Sequence, residues 1–122
     1  MREAWSNRAV LEFERGNIAA AINDLSHALE TGADATILYN RGFAYQAMER
    51  WQEAIADYTQ ALALEDADRQ ELFYQRAVCY LQENLPDLAQ QDFAAHLTMG
   101  DSAHMDEIYR LVPSLFPTKI LL

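Results

Sequence analysis

Residues 35–68 read ATILYNRGFAYQAMERWQEAIADYTQALALEDAD, and the spacing of apolar side chains in that stretch decides the fold. Leu38, Gly42 and Tyr45 fall four and three places apart, and so do Ala54, Tyr58 and Ala61. That is the period of an α-helix packed along one face, with no strand-like alternation competing. A polar break at Glu49-Arg50 divides the stretch into two helices of roughly a dozen residues each.

Working outward, the pattern returns on both sides. Asn7-Arg8-Ala9, Asn40-Arg41-Gly42 and Gln75-Arg76-Ala77 open equivalent segments, at offsets of 33 and then 35. Ala21, Ala54 and Ala89 follow at matching distances, as do Leu25, Tyr58 and Phe93. A period of this length marks an array of helix pairs stacked side by side. The spacing predicts helices near 2–15, 18–31, 35–48, 51–64, 69–83 and 86–98. Pro86 suits the first turn of the sixth helix, and Gly32 and Gly100 suit C-terminal caps. A seventh helix is expected over 103–112, with Met105, Ile108, Leu111 and Val112 on one stripe before Pro113 limits it. The chain thus divides into units 2–34, 35–68 and 69–101, followed by a capping helix and apolar tail at 102–122.

The units resemble tetratricopeptide repeats. Leu38, Arg41-Gly42, Tyr45, Ala54, Tyr58 and Ala61 match the family signature best. Phe73, Arg76-Ala77, Tyr80, Ala89 and Phe93 follow it in the third unit, and Trp5, Arg8-Ala9, Ala21, Leu25 and Ala28 in the first. The resemblance implies an all-α, right-handed superhelix of seven helices in which the first helix of each pair lines a concave face. Two residues depart from it. Glu12 stands where an aromatic is expected, which suits a terminal helix facing water, and His96 replaces a small alanine, as if the following helix sat further away.

The composition agrees with a folded domain and removes several functions. Over 122 residues, 51% are hydrophobic and 23% charged, with four glycines and three prolines. The net charge of −10 repels phosphate backbones and anionic lipid, so neither nucleic acid nor a membrane is an expected partner. No run approaches the ~20 apolar residues of a membrane span; a soluble, cytoplasmic protein is the expectation. Cys79 is the single cysteine, so neither an internal disulfide nor a thiolate zinc site can form within the chain.

Arg8, Arg41 and Arg76 recur once per unit, with Asp24, Asp57 and Asp92 each sixteen residues further on. Each Arg lies on the first helix of its pair and each Asp on the second. Antiparallel packing would join them as bidentate structural pairs, a better reading than an anion-binding ladder.

Nothing points to catalysis. His27, His96 and His104 lie on different helices without the i, i+4 histidine spacing of a helical metal site. Asp92 and His96 have that spacing, but Asp92 is matched to Arg76. Cys79 reads as a packed thiol, and the acidic pairs near Asp66 and Asp68 as turn solvation or helix starts. The chain is expected to be no enzyme and to hold no metal or cofactor.

The concave stripe implied by the resemblance holds Glu3, Ser6, Val10 and Phe13, then Thr36, Tyr39, Phe43 and Gln46, then Glu71, Tyr74, Val78 and Leu81. Members of the family that bind the acidic C-terminal tails of Hsp70 and Hsp90 do so with two lysines, two asparagines and an arginine. Here those slots carry Ser6, Val10, Asn40, Glu71 and Gln75, of which only Asn40 fits. The expectation is a protein-interaction module, an adaptor, co-chaperone or assembly factor. It would bind an apolar or mildly basic peptide through Val10, Phe13, Tyr39, Asn40, Phe43, Tyr74 and Val78, with Phe43 and Tyr74 open to an alternative role in packing neighbouring repeats. The rival reading is homo-oligomerisation, a homodimer built on the same groove and the Leu115 to Leu122 tail; capping by that tail within one chain is favoured over exchange between copies.

Overall fold

The computed structural model describes residues 2–99 and 105–111. The expectations placed on Gly100, His104, Val112, Pro113 and residues 115–122, and on the side chain of Met105, lie outside the described residues. Among the described residues there are seven helices and no strand: α1 (Arg2–Glu14), α2 (Ile18–Leu29), α3 (Ala35–Ala47), α4 (Trp51–Leu62), α5 (Arg69–Gln82), α6 (Pro86–Thr98) and α7 (Met105–Leu111). Helices pack most extensively as α1 with α2, α3 with α4 and α5 with α6, while α2 against α3 and α4 against α5 join the pairs into a stack.

The helices end one or two residues before the expected C-termini wherever the chain must turn sharply. Within each pair the connection is three residues, at 15–17, 48–50 and 83–85. In each, one residue adopts a left-handed backbone: Gly16 at φ 85°, Glu49 at 60° and Asn84 at 59°. The same two hydrogen bonds close each turn. The amide of that residue donates to Phe13, Gln46 or Leu81, and the next amide reaches back to Glu12, Tyr45 or Tyr80. This double closure satisfies carbonyls that a helix end would otherwise leave open. Between pairs, Asp34 and Asp68 start α3 and α5 by accepting from the amides of Ile37 and Glu71 at 3.0 and 3.4 Å. Gly32, after α2, has φ 137°, and its carbonyl accepts from Arg2 at 2.8 Å.

The crossing inside each pair is set by a small residue facing a large one. Ala9 shares a core with Leu25, and Ala77 with Phe93. In the middle unit the small partner has shrunk to Gly42 and the large one has grown to Tyr58, which is fully buried. A Cβ on Gly42 would lie 2.7 Å from Tyr58 Cε1, closer than carbon atoms pack.

The arginines hold both the pairs and the stack. Arg8 meets Asp24 at 3.0 and 2.7 Å, Arg41 meets Asp57 at 2.9 and 2.8 Å, and Arg76 meets Asp92 at 2.7 and 2.8 Å, each through Nε and Nη2. Arg41 Nη1 also donates to Ser26 Oγ, and Arg76 Nη1 to Thr59 Oγ1, both at 3.0 Å. Each of these arginines therefore ties its own unit to the one before. Arg8 makes no such bond among the described residues, and its side chain is 58% exposed against 21% for Arg41 and 16% for Arg76. Bidentate pairing lets the three aspartates be buried without leaving a bare charge.

Helix α7 closes the last pair. Ile108 is fully buried against Tyr74, Ala77 and Phe93, and the Tyr74 hydroxyl donates to Glu107 at 2.6 Å. His96 is buried beside the Tyr74 ring, and its Nδ1 lies 2.7 Å from the Gln70 carbonyl. Leu111, expected on the buried stripe with Ile108, is exposed. Glu12 is half-buried, and the Asn17 amide donates to it at 2.8 Å.

Candidate functional site

Side chains of α1, α3 and α5 border two clefts that meet at Asn40. The first, of about 200 Å³, lies between α1, α2 and α3, where Val10, Phe13, Leu25 and Phe43 supply an apolar lining. The small Ala9 and Ala21 form its base, Phe13 lies one turn beyond Ala9 on the same face of α1, and Val10 and Glu14 stand at its rim. Val10 is 48% and Phe43 40% exposed. The rings of Phe13 and Phe43 lie 5.8 Å apart and those of Tyr39 and Phe43 6.1 Å, a contiguous aromatic edge.

The second cleft, of about 330 Å³, opens between α3 and the start of α5, with Thr36, Tyr39, Asp66, Asp68 and Glu71 around it. Among the described residues no basic side chain lines either cleft. Arg69, next to Asp68 in the chain, directs its guanidinium to the Leu64 carbonyl at 3.3 Å. Burial, followed by the charge of Glu71, raises the Tyr39 hydroxyl above the usual phenol range.

A hydrogen-bond chain runs along the floor between α3 and α5. Tyr58 donates to Gln46 at 2.6 Å, Gln46 to Gln75 at 3.1 Å, and Gln75 to Glu71 at 2.8 Å, while Tyr39 donates to Glu71 at 3.1 Å. Every donor is directed toward the Glu71 carboxylate. Two of the five positions that would form a carboxylate clamp, Glu71 and Gln75, are thus engaged between repeats. Of the other three, Val10 is exposed and apolar, Ser6 is half-buried, and Asn40 is half-buried and borders both clefts.

The structure brings Val10, Phe13, Asn40 and Phe43 together around one cleft and Tyr39 and Asn40 around the other. It removes Tyr74 from the list of accessible anchors. Tyr74 occupies the position equivalent to Tyr39, but it is 6% exposed and covered by Phe93, His96 and the α7 residue Ile108. Burial, with the Glu107 bond behind it, raises its hydroxyl too. Val78 packs half-buried against the same cluster. Tyr39 is itself half-buried, stacked on Phe43 and tilted against Tyr58, so it is wall and core at once.

Sequence reasoning missed Asp66 and Asp68 as part of a cleft. The second offset, 35 rather than 33, places two extra residues around the connection into α5, and that insertion was the available signal. Among the described residues no group of three histidine, cysteine or carboxylate side chains is arranged to hold a metal, and no helix is long and apolar enough to cross a membrane. Cys79 is buried in the central core. Burial, then the nearby Glu83, pushes its thiol up to about 12, the opposite of an activated nucleophile.

Comparison with known proteins places this geometry. The family model described as tetratricopeptide repeat matches residues 35–67. Human tetratricopeptide repeat protein 6 is 36% identical over 61 residues, which are 50% of this chain and 12% of that protein, so the chain spans a small part of this relative. The second TPR of Spaghetti (RPAP3), bound to HSP90 peptide SRMEEVD, superposes with a TM-score of 0.74 at 26% identity, over 80% of this chain and 90% of that one. The Yersinia enterocolitica type III secretion chaperone SycD, in complex with a peptide of the translocator YopD, gives 0.75 at 19% identity, over 93% and 87%.

Proposed function

We propose that the chain, which matches the tetratricopeptide repeat family over residues 35–67, is a non-catalytic adaptor, co-chaperone or assembly factor whose groove binds a peptide of another protein. The fold is a protein-interaction scaffold, and relatives of the same shape hold peptides. The observation that carries the reading is the mainly apolar cleft at Val10, Phe13 and Phe43, open to solvent between the first and second units. Exposed aromatic and aliphatic side chains beside a concavity are what an anchoring side chain of a partner buries.

The peptide differs in kind from the acidic tail held by the RPAP3 domain. Glu71 and Gln75 are committed to the inter-repeat chain, Val10 offers no charge, and Asp66 and Asp68 add to the negative field. A terminal carboxylate would meet repulsion there. An apolar or mildly basic segment fits.

The test is titration of a blocked, phenylalanine-containing peptide selected from a random library, against the chain and its Val10→Ala, Phe43→Ala variant. Both residues are largely exposed, so the variant should keep its helical circular dichroism and lose at least tenfold in affinity, since two truncated anchors cost about 1 kcal/mol or more each. Unchanged affinity would move the site off this groove. A dimer of the chain that dissociates in the variant would instead give the groove to a second copy.

A further inference from the structure

We infer that the groove reads two side chains of one peptide from another protein: a large apolar side chain in the cleft at Val10, Phe13 and Phe43, and a lysine or arginine in the cleft at Tyr39, Asp66 and Asp68. This rests on the peptide-binding reading above and specifies the chemistry of its ligand.

The two clefts are neighbours in one groove, because Asn40 borders both. Their linings differ in kind. The first is mainly apolar, with Glu14 as its single carboxylate; the second carries three carboxylates and the rim of the Tyr39 ring. An aromatic face beside carboxylates suits a cation whose alkyl stem lies on the ring while its head reaches the charge. Glu71 already accepts from Tyr39 and Gln75, so it supplies field, whereas Asp66 and the second carboxylate oxygen of Asp68, whose Oδ1 caps α5, lie at the exposed edge and supply contact. Asn40, which borders both clefts, carries an amide able to bond a peptide backbone, which any extended segment offers.

Charge complementarity selects the cation. A peptide bearing only an apolar anchor would leave the acidic cleft solvated and indifferent, and an acidic neighbour would be repelled. The spacing follows from the aromatic edge. Phe43 borders the apolar cleft and Tyr39 the acidic one, with ring centroids 6.1 Å apart. Side chains two residues apart on one face of an extended chain are separated by about 6.6 Å. Lysine two positions from the anchor therefore fits.

The experiment uses the full chain and an array of acetylated, amidated peptides with one fixed phenylalanine, in which lysine, alanine or glutamate is walked through the neighbouring positions. The expected result is about fivefold tighter binding for lysine than alanine at an offset of two, with glutamate weaker than alanine there; one exposed ion pair contributes about this much. The variant Asp66→Asn, Asp68→Asn keeps an efficient helix cap at position 68 and should erase the lysine preference while still binding the phenylalanine peptide. Binding of phenylalanine peptides with no response to charge would overturn this inference and leave the adaptor reading standing. Binding of no peptide would overturn both. If only a chain carrying Lys119→Glu binds, the occupant is the chain's own residues 115–122, and the assignment to a separate partner falls.

Discussion

The Tyr39 hydroxyl donates to Glu71 Oε2 at 3.1 Å, from α3 to α5, on the same carboxylate oxygen that accepts from Gln75 at 2.8 Å. A position that in a carboxylate clamp would face the ligand is here turned into the acceptor at the end of a chain linking neighbouring repeats. The groove's polarity and its rigidity therefore share one residue. Glu71→Leu should lower stability by about 1–2 kcal/mol in urea unfolding, because it strands the donors of Tyr39 and Gln75. Tyr39→Phe should lower it by about 1 kcal/mol, and the double variant should cost less than the sum, since the two share one bond. Strict additivity would mean the bond contributes nothing.

The three arginine–aspartate pairs look equivalent in sequence and are unequal in structure. Arg41 bonds Asp57 and also Ser26 of the preceding unit, whereas Arg8 bonds Asp24 with more than half of its side chain in water. Arg41→Ala leaves the buried Asp57 without its partner at the centre of the stack and should cost about 3–5 kcal/mol. Arg8→Ala should cost clearly less, because water can reach the Asp24 carboxylate from the side that Arg8 vacates. Thermal melts of the two variants decide it: equal losses would remove the inter-repeat bond from the account. Peptide affinity of whichever variant stays folded should be unchanged.

Gly42 offers a test of sign. In an exposed helix, replacing glycine by alanine stabilises by about 1 kcal/mol; at Gly42 the new Cβ would press on the Tyr58 ring at 2.7 Å. Gly42→Ala should destabilise, by about 1–3 kcal/mol, as overpacking does. Adding Tyr58→Leu recreates the Ala9 and Leu25 arrangement of the first unit. The double variant should be more stable than the sum of the two single losses predicts. A Gly42→Ala protein that melts higher than the parent would show that the crossing relaxes freely.

How much of this was legible in the sequence depended on whether a feature repeats within a unit. The helix pairs, the small-facing-large crossings and the Arg/Asp matches recur at fixed spacing, so periodicity alone located them. Bonds between units are harder to see, because they depend on how units stack. Ser26 and Thr59 follow Leu25 and Tyr58 as hydroxyl residues, and Ala94 follows Phe93 without one, a signal that acquires meaning only once Arg41 and Arg76 are seen to reach backward. Tyr74 misled for the complementary reason. It repeats Tyr39 in register and bonds Glu107 of α7 as Tyr39 bonds Glu71 of α5, but the Phe93 and His96 rings and Ile108 close over it. The acidic cleft at Asp66 and Asp68 arises where two extra residues break the period, and there repeat logic is silent.

The Asp24 carboxyl is held below the ordinary carboxylate value of 3.8, first by the hydrogen bonds from Arg8 and then by its charge, against the opposing effect of burial. A carboxyl whose folded value is depressed contributes stability that is fully present above the unfolded value and is lost as pH falls through the folded one. Asp24→Asn keeps the shape and one acceptor but cannot titrate. The melting temperature of the parent should therefore exceed that of the variant by a constant margin from pH 7 down to about 5, and the margin should shrink below about pH 4. Because Arg8 is the leading cause, the chain carrying Arg8→Ala should show a smaller margin over its own Asp24→Asn derivative in the upper range. A parent margin that stays level down to pH 3 would mean that the pairing does not favour the ionised form in the fold.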